Sequence, residues 1–195
     1  METSAYNYAL SVSLTLLLFF SYRFIFGKLP DKEIYKTYLQ SRMIMGFALL
    51  ALSVNYSIHL FAAPRFENAM NAIYMNLSTY FLAAWLFSCA LMMLLVDDYF
   101  TRQRFTRHIV GWLAYTIGFG VARMMLPQDS ARWALLIVMA MVFLVYSFRL
   151  ARRLLRIYRK AVKMLDQFHS DNIAAYIRWM SVFTYWAIVF GVGQG

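Results

Sequence analysis

Residues 133–148 read WALLIVMAMVFLVYSF, and residues 149–164 continue as RLARRLLRIYRKAVKM. The first stretch holds no charge, the second holds seven cations and no acid, and neither contains Gly or Pro. An uncharged apolar run passing unbroken into a basic one predicts a single helix that starts in a membrane and leaves it near Arg149. At ~1.5 Å per residue the apolar part alone falls short of a ~30 Å hydrocarbon layer, so its flanks must contribute.

Working outward, similar apolar runs cover residues 6–26, 43–63, 73–96 and 109–126 on the amino-terminal side and 177–193 on the other. The chain is 62% hydrophobic and 14% charged, well away from the roughly 45–50% and 25% of an ordinary soluble domain. The runs are continuous, whereas a barrel strand alternates apolar and polar residues. The expected fold is therefore all-α: one polytopic transmembrane bundle of six spans, with the fifth helix extended and a basic cytoplasmic helix and loop over residues 149–176. Pro30, Pro64 and Pro127 each follow a span, where a missing N–H does no harm. The sixth run barely crosses the hydrocarbon and ends in Gly-Val-Gly-Gln-Gly, as a truncated bundle would.

Sixteen of the nineteen Lys and Arg residues fall on one side of such a bundle. They are Arg23, Lys28, Lys32, Lys36 and Arg42 after span one, Arg102, Arg104 and Arg107 after span three, and seven cations from Arg149 to Lys163 plus Arg178 after span five. Arg65, Arg123 and Arg132 lie opposite. The positive-inside bias places the amino terminus outside. Glu2 and the absence of cations ahead of the first run argue for a retained span over a cleaved signal. The net charge of +10 belongs to loops between spans, which disfavours direct nucleic-acid binding.

Along the extended helix, Arg149, Arg153, Arg156, Lys160 and Lys163 form one stripe, and Leu150, Leu154, Ile157, Ala161 and Met164 form another about a quarter-turn away. The cations suit anionic lipid head groups. The apolar stripe suits the bilayer, a neighbouring helix or a short coiled-coil seam in a homodimer. In span four Gly111, Ala114, Gly118 and Ala122 share a face and are expected to form a helix-packing seam.

Polar residues inside spans are candidates for function because their burial is costly. Asn55 and His59 share a face of span two, and Asn71 and Asn76 flank the start of span three. Asn55, His59 and Asn76 are the candidate ligand-facing set, with interhelical hydrogen bonding as the alternative. Asp97-Asp98 beside Arg102 and Arg104 reads as a local ion pair, since no third ligand or partner His stands at useful spacing. His169 and Asp171 meet the same objection, and the lone Cys89 reads as a packing residue. Phosphate-loop, zinc-protease, nucleophile-elbow and Cys-x-x-Cys patterns are absent from the sequence, so no catalytic, metal or cofactor residue is assigned and an enzyme is not expected.

The basic helix from Arg149 to Lys163, then LDQFHSDN at 165–172, then Ile177-Arg178-Trp179-Met180 entering a new span, resembles the membrane-embedded amino-terminal region of bacterial one-component transcription regulators of the AraC type. In that group about seven spans precede a cytoplasmic helix-turn-helix domain. The resemblance implies a sensory, signal-input domain in a bacterial inner membrane, lacking here a seventh span and the DNA-binding part. The alternatives are a small transporter or channel, with its passage near Asn55, His59 and Asn76, and a fragment without function of its own.

Overall fold

The structure, a computed structural model, describes residues 2–28, 36–62, 68–96, 99–168 and 182. The described residues form five helices and no strand: α1 (Glu2–Phe26), α2 (Lys36–Phe61), α3 (Ala69–Leu95), α4 (Arg102–Met125) and α5 (Asp129–Phe168). Among them α1, α2, α3 and α5 are long and apolar enough to cross a membrane. The helix of the fourth run, α4, is not in that group, and residues 177–193, the sixth run, lie outside the described residues. So do Pro30, Lys32, Pro64, Arg65, Asp97, Asp98, His169, Asp171 and Arg178.

Helix boundaries overrun the apolar runs because a helix continues through the interface, where water and head groups solvate its ends. α2 starts seven residues ahead of the run at 43, and α4 starts at Arg102. Local chemistry marks the ends. Asn68 occupies the N-cap of α3 and its side chain accepts from the Asn71 amide, which satisfies one of the orphan N–H groups of the first turn. Asp129 opens α5, where a carboxylate meets the positive end of the helix dipole, and it pairs with Arg132 at 3.1 Å.

α3 is the hub. It packs against α2, α4 and α5, while α1 lies against α2. Its interior position shows in the buried series Phe81, Trp85, Cys89, Met92 and Met93. One core cluster gathers Trp85, Met92 and Met93 with Ala48 of α2 and Leu150 and Leu154 of α5. A second joins Phe81 to Tyr115 of α4 and to Leu136 and Met139 of α5. Small side chains bring the backbones close in the α1–α2–α3 layer: Ser21 Oγ donates to the Gly46 carbonyl at 3.0 Å, and Ser41 Oγ to the Ala90 carbonyl at 2.7 Å. A Cβ on Gly46 would come within 2.6 Å of the Ile25 side chain, so only Gly fits this crossing.

Two expectations can be set against the described helices. The seam on the fourth run does not join α4 to any described helix: Gly111, Ala114 and Gly118 are exposed, nothing stands within 4 Å of a Cβ built on Gly111 or Gly118, and Ala122 is only half-buried. α4 packs instead through larger residues with polar handles. Trp112 Nε1 donates to the Ser78 carbonyl at 2.9 Å, Tyr115 Oη to the Met139 carbonyl at 2.9 Å, and Tyr74 of α3 donates to the Thr116 carbonyl at 2.6 Å. The glycine that permits the last contact is Gly120, where a Cβ would meet the Tyr74 hydroxyl at 2.7 Å.

The second concerns α5, whose apolar stripe meets a neighbouring helix, one of the partners its spacing allowed. Leu150, Ala151 and Leu154 are buried and Ile157 and Tyr158 pack on the same core, so the helix stays against the bundle beyond Arg149. The first half of the coiled-coil stripe is therefore occupied within the chain. Because Ala151 and Tyr158 belong to the buried face, its centre lies nearly opposite the cations, not a quarter-turn from them.

Candidate functional site

Asn55, His59 and Asn76 meet. Asn55 and His59, four residues apart, present one face of α2 to α3, and both are buried, at 2% and 6% exposure. Asn55 Nδ2 and His59 Nε2 both donate to Asn76 Oδ1, each at 2.8 Å. Both lone pairs of that amide oxygen are thereby used. Thr79, one turn further along α3, donates its hydroxyl to the Met75 carbonyl at 2.9 Å and stands 3.4 Å from Asn55 Oδ1. Since an amide oxygen only accepts, His59 presents an N–H at Nε2. Nδ1 is buried with no hydrogen-bond partner among the described residues.

The hydrogen bonds run between helices, from Asn55 and His59 of α2 to the one amide oxygen of Asn76 on α3, which is the interhelical alternative, and His59 Nδ1 is left over. Asn71 stands apart: exposed at the start of α3, it accepts from the Arg123 guanidinium, which also lies 5.8 Å from the Tyr74 ring centroid.

A second cluster, not anticipated from the sequence, occupies the carboxyl-terminal half of α3. Phe81 is stacked between Tyr115 at 4.5 Å and Tyr146 at 4.0 Å, centroid to centroid. The Tyr146 hydroxyl lies 3.0 Å from His108 Nδ1, and the His108 ring stacks on Trp85 at 5.2 Å. Close by, Tyr99 is buried beneath two guanidinium groups, Arg104 and Arg153, each 5.3 Å from its centroid. Arg104 also donates to the Tyr99 carbonyl at 3.1 Å. Arg153, placed by its spacing on the lipid-facing stripe, thus reaches the segment between α3 and α4 through a cation–π contact. A void of about 10 Å³ lies among Trp85, Cys89, Tyr99, Arg104 and His108. It has room for about one water at most. Cys89 is buried there, as expected of a packing residue.

His108 sits in the first turns of α4, ahead of its apolar part. Burial first, then the nearby Arg153 and Arg107, lower its pKa from the ordinary 6.5. The fold therefore favours the neutral imidazole over the charged one. On acidification the unfolded chain takes up the proton first, so stability is lost as pH falls below about 6.5. The melting temperature in detergent should drop between pH 7.5 and 5.5, and His108→Gln should flatten that dependence; an identical slope in the variant would contradict the assignment.

Among the described residues no group of three or more His, Cys, Asp or Glu side chains could hold a metal ion. The basic residues of α5, Arg149, Arg153, Arg156, Lys160 and Lys163, are all exposed. With this geometry in hand, comparison with known proteins finds no matching family model, curated protein or solved structure.

Proposed function

We propose that the chain is a membrane signal-input domain: six transmembrane helices with the amino terminus outside, in which a stimulus at the outer half shifts α3 and the shift leaves through α5. One relation carries this reading. α3 holds Asn76 of the polar lock near its outer end and, further along, the surface on which α5 rests. α5 is unbroken over its whole 40 residues, so a displacement or rotation at its buried face is delivered whole to its basic end. The charge bias of sixteen against three supports the orientation. The resemblance over residues 166–180 supports the input role.

Spin labels at Lys36→Cys and Lys163→Cys, in a Cys89→Ser background, report the distance between α2 and the far end of α5. Breaking the polar lock with His59→Leu should change that distance by about 1–2 Å, the size of ordinary helix shifts. Superimposable distance distributions would refute transmission along α3. The rival reading is a small transporter using the same polar residues. Solute flux through proteoliposomes that is lost in Asn76→Leu would favour it, whereas an input domain conducts nothing.

A further inference from the structure

The seven cations of α5 between Arg149 and Lys163 fall within an arc of about 120° at 100° per residue, and that arc faces away from the buried Leu150, Ala151 and Leu154. Five of them, Arg152, Arg156, Arg159, Lys160 and Lys163, line with Leu155 an open groove of about 390 Å³. No acidic residue occurs in the sequence between Asp129 and Asp166. Among the described residues the ion pair is Arg132–Asp129, at the other end of the helix. Seven like charges over ~21 Å repel one another, and such an arrangement is at ease only beside a polyanion.

We propose that this groove binds the phosphate-bearing head groups of anionic lipids in the membrane that the chain crosses. Depth argues for that source. From Asp129, where α5 begins just ahead of the exposed Trp133, to Arg149, its first cation after the apolar run, the helix rises ~30 Å, which matches a ~30 Å hydrocarbon layer. Arg149 to Lys163 then occupy the next ~21 Å, the head-group zone and the Debye length beyond it. Leu94 and Val96, about 40% exposed where α3 ends, flank Leu95, which packs on the core cluster that holds Leu150 and Leu154, and mark the same apolar edge. Arg152 turns back over the Phe148 ring, 5.6 Å from its centroid and one turn nearer the membrane centre. A soluble anion would have to be captured from dilute solution, whereas lipid phosphate is held at this depth by the bilayer itself. The inference needs α5 to cross the membrane and is independent of the signalling reading.

The test uses the full chain in a neutral detergent, with native mass spectrometry counting bound lipid. Offered equal phosphatidylglycerol and phosphatidylcholine, the protein should retain the anionic lipid preferentially, and added salt should weaken that preference. Each basic residue at an anionic surface contributes about fivefold in affinity. The combined variant Arg156→Gln, Arg159→Gln, Lys160→Gln, Lys163→Gln should therefore lose roughly 600-fold, while Arg156→Lys with Arg159→Lys should keep most of the binding. Equal retention of both lipids by the wild-type chain would overturn the proposal without recourse to any variant. So would an unchanged preference in the Gln variant, displacement of lipid by millimolar inorganic phosphate, or displacement by duplex DNA at the same salt.

Discussion

Phe81→Ala is expected to be the most damaging single truncation in the described core, lowering stability by about 3 kcal/mol, the low end of the range for buried Phe→Ala changes. Phe81 is 6% exposed and its ring lies between those of Tyr115 and Tyr146, so its removal strips one stacking partner from each of two tyrosines on two other helices. In a bilayer the lipid tails are as apolar as the ring, which removes most of the hydrophobic penalty. The lost dispersion contacts and the cavity remain. Because Tyr115 Oη is bonded to the Met139 carbonyl and Tyr146 Oη to His108, neither tyrosine can swing in to fill the space without breaking a hydrogen bond. Unfolding by sodium dodecyl sulfate from mixed micelles measures the effect. A loss below about 1 kcal/mol would mean that the stack is incidental to the α3–α4–α5 packing.

Asn76→Leu comes second, at about 2 kcal/mol by the same measurement. The substitution leaves the buried Asn55 Nδ2 and His59 Nε2 donors without their shared acceptor, and each orphaned donor costs about 1–3 kcal/mol in a dry interior. Single hydrogen bonds between membrane helices average nearer 0.6 kcal/mol, which keeps the expectation toward the lower end. The companion variant decides the mechanism. Asn55→Leu, His59→Leu and Asn76→Leu together remove every partner at once and should recover most of the stability lost in Asn76→Leu. A triple variant weaker than the single one would show that the polar set does more than bind its own members.

The polar lock was legible because its members are conspicuous: Asn and His four residues apart in an apolar run must face one way, and an Asn in the next run is the obvious acceptor. The all-helical architecture was legible for a similar reason, since long uncharged runs leave few other folds. What escaped was helix rotation. A soluble helix writes its buried face as an apolar stripe, but α4 is apolar both where it meets α3, at Trp112 and Tyr115, and where it does not, at Val110, Ile117 and Val121. Small residues then looked like the packing face, and the structure uses Gly120 while leaving Gly111 and Gly118 outward. The His108–Tyr146 and Tyr99–Arg153 contacts join residues 38 and 54 positions apart, and no local pattern announces them. Arg153 was readable as a cation on a basic stripe, but its ring partner depends on how the segment ahead of α4 folds back.

The placement of α3 at the centre also orders events during synthesis. α1, α2 and α3 are neighbours both in sequence and in space, so they can assemble as a hairpin pair while the ribosome is still producing α4. The partner that completes both core clusters on α3, from Leu136 to Leu154, arrives last among the described helices. Until then the flank of α3 that carries Phe81 and Trp85 has no α5 to pack against.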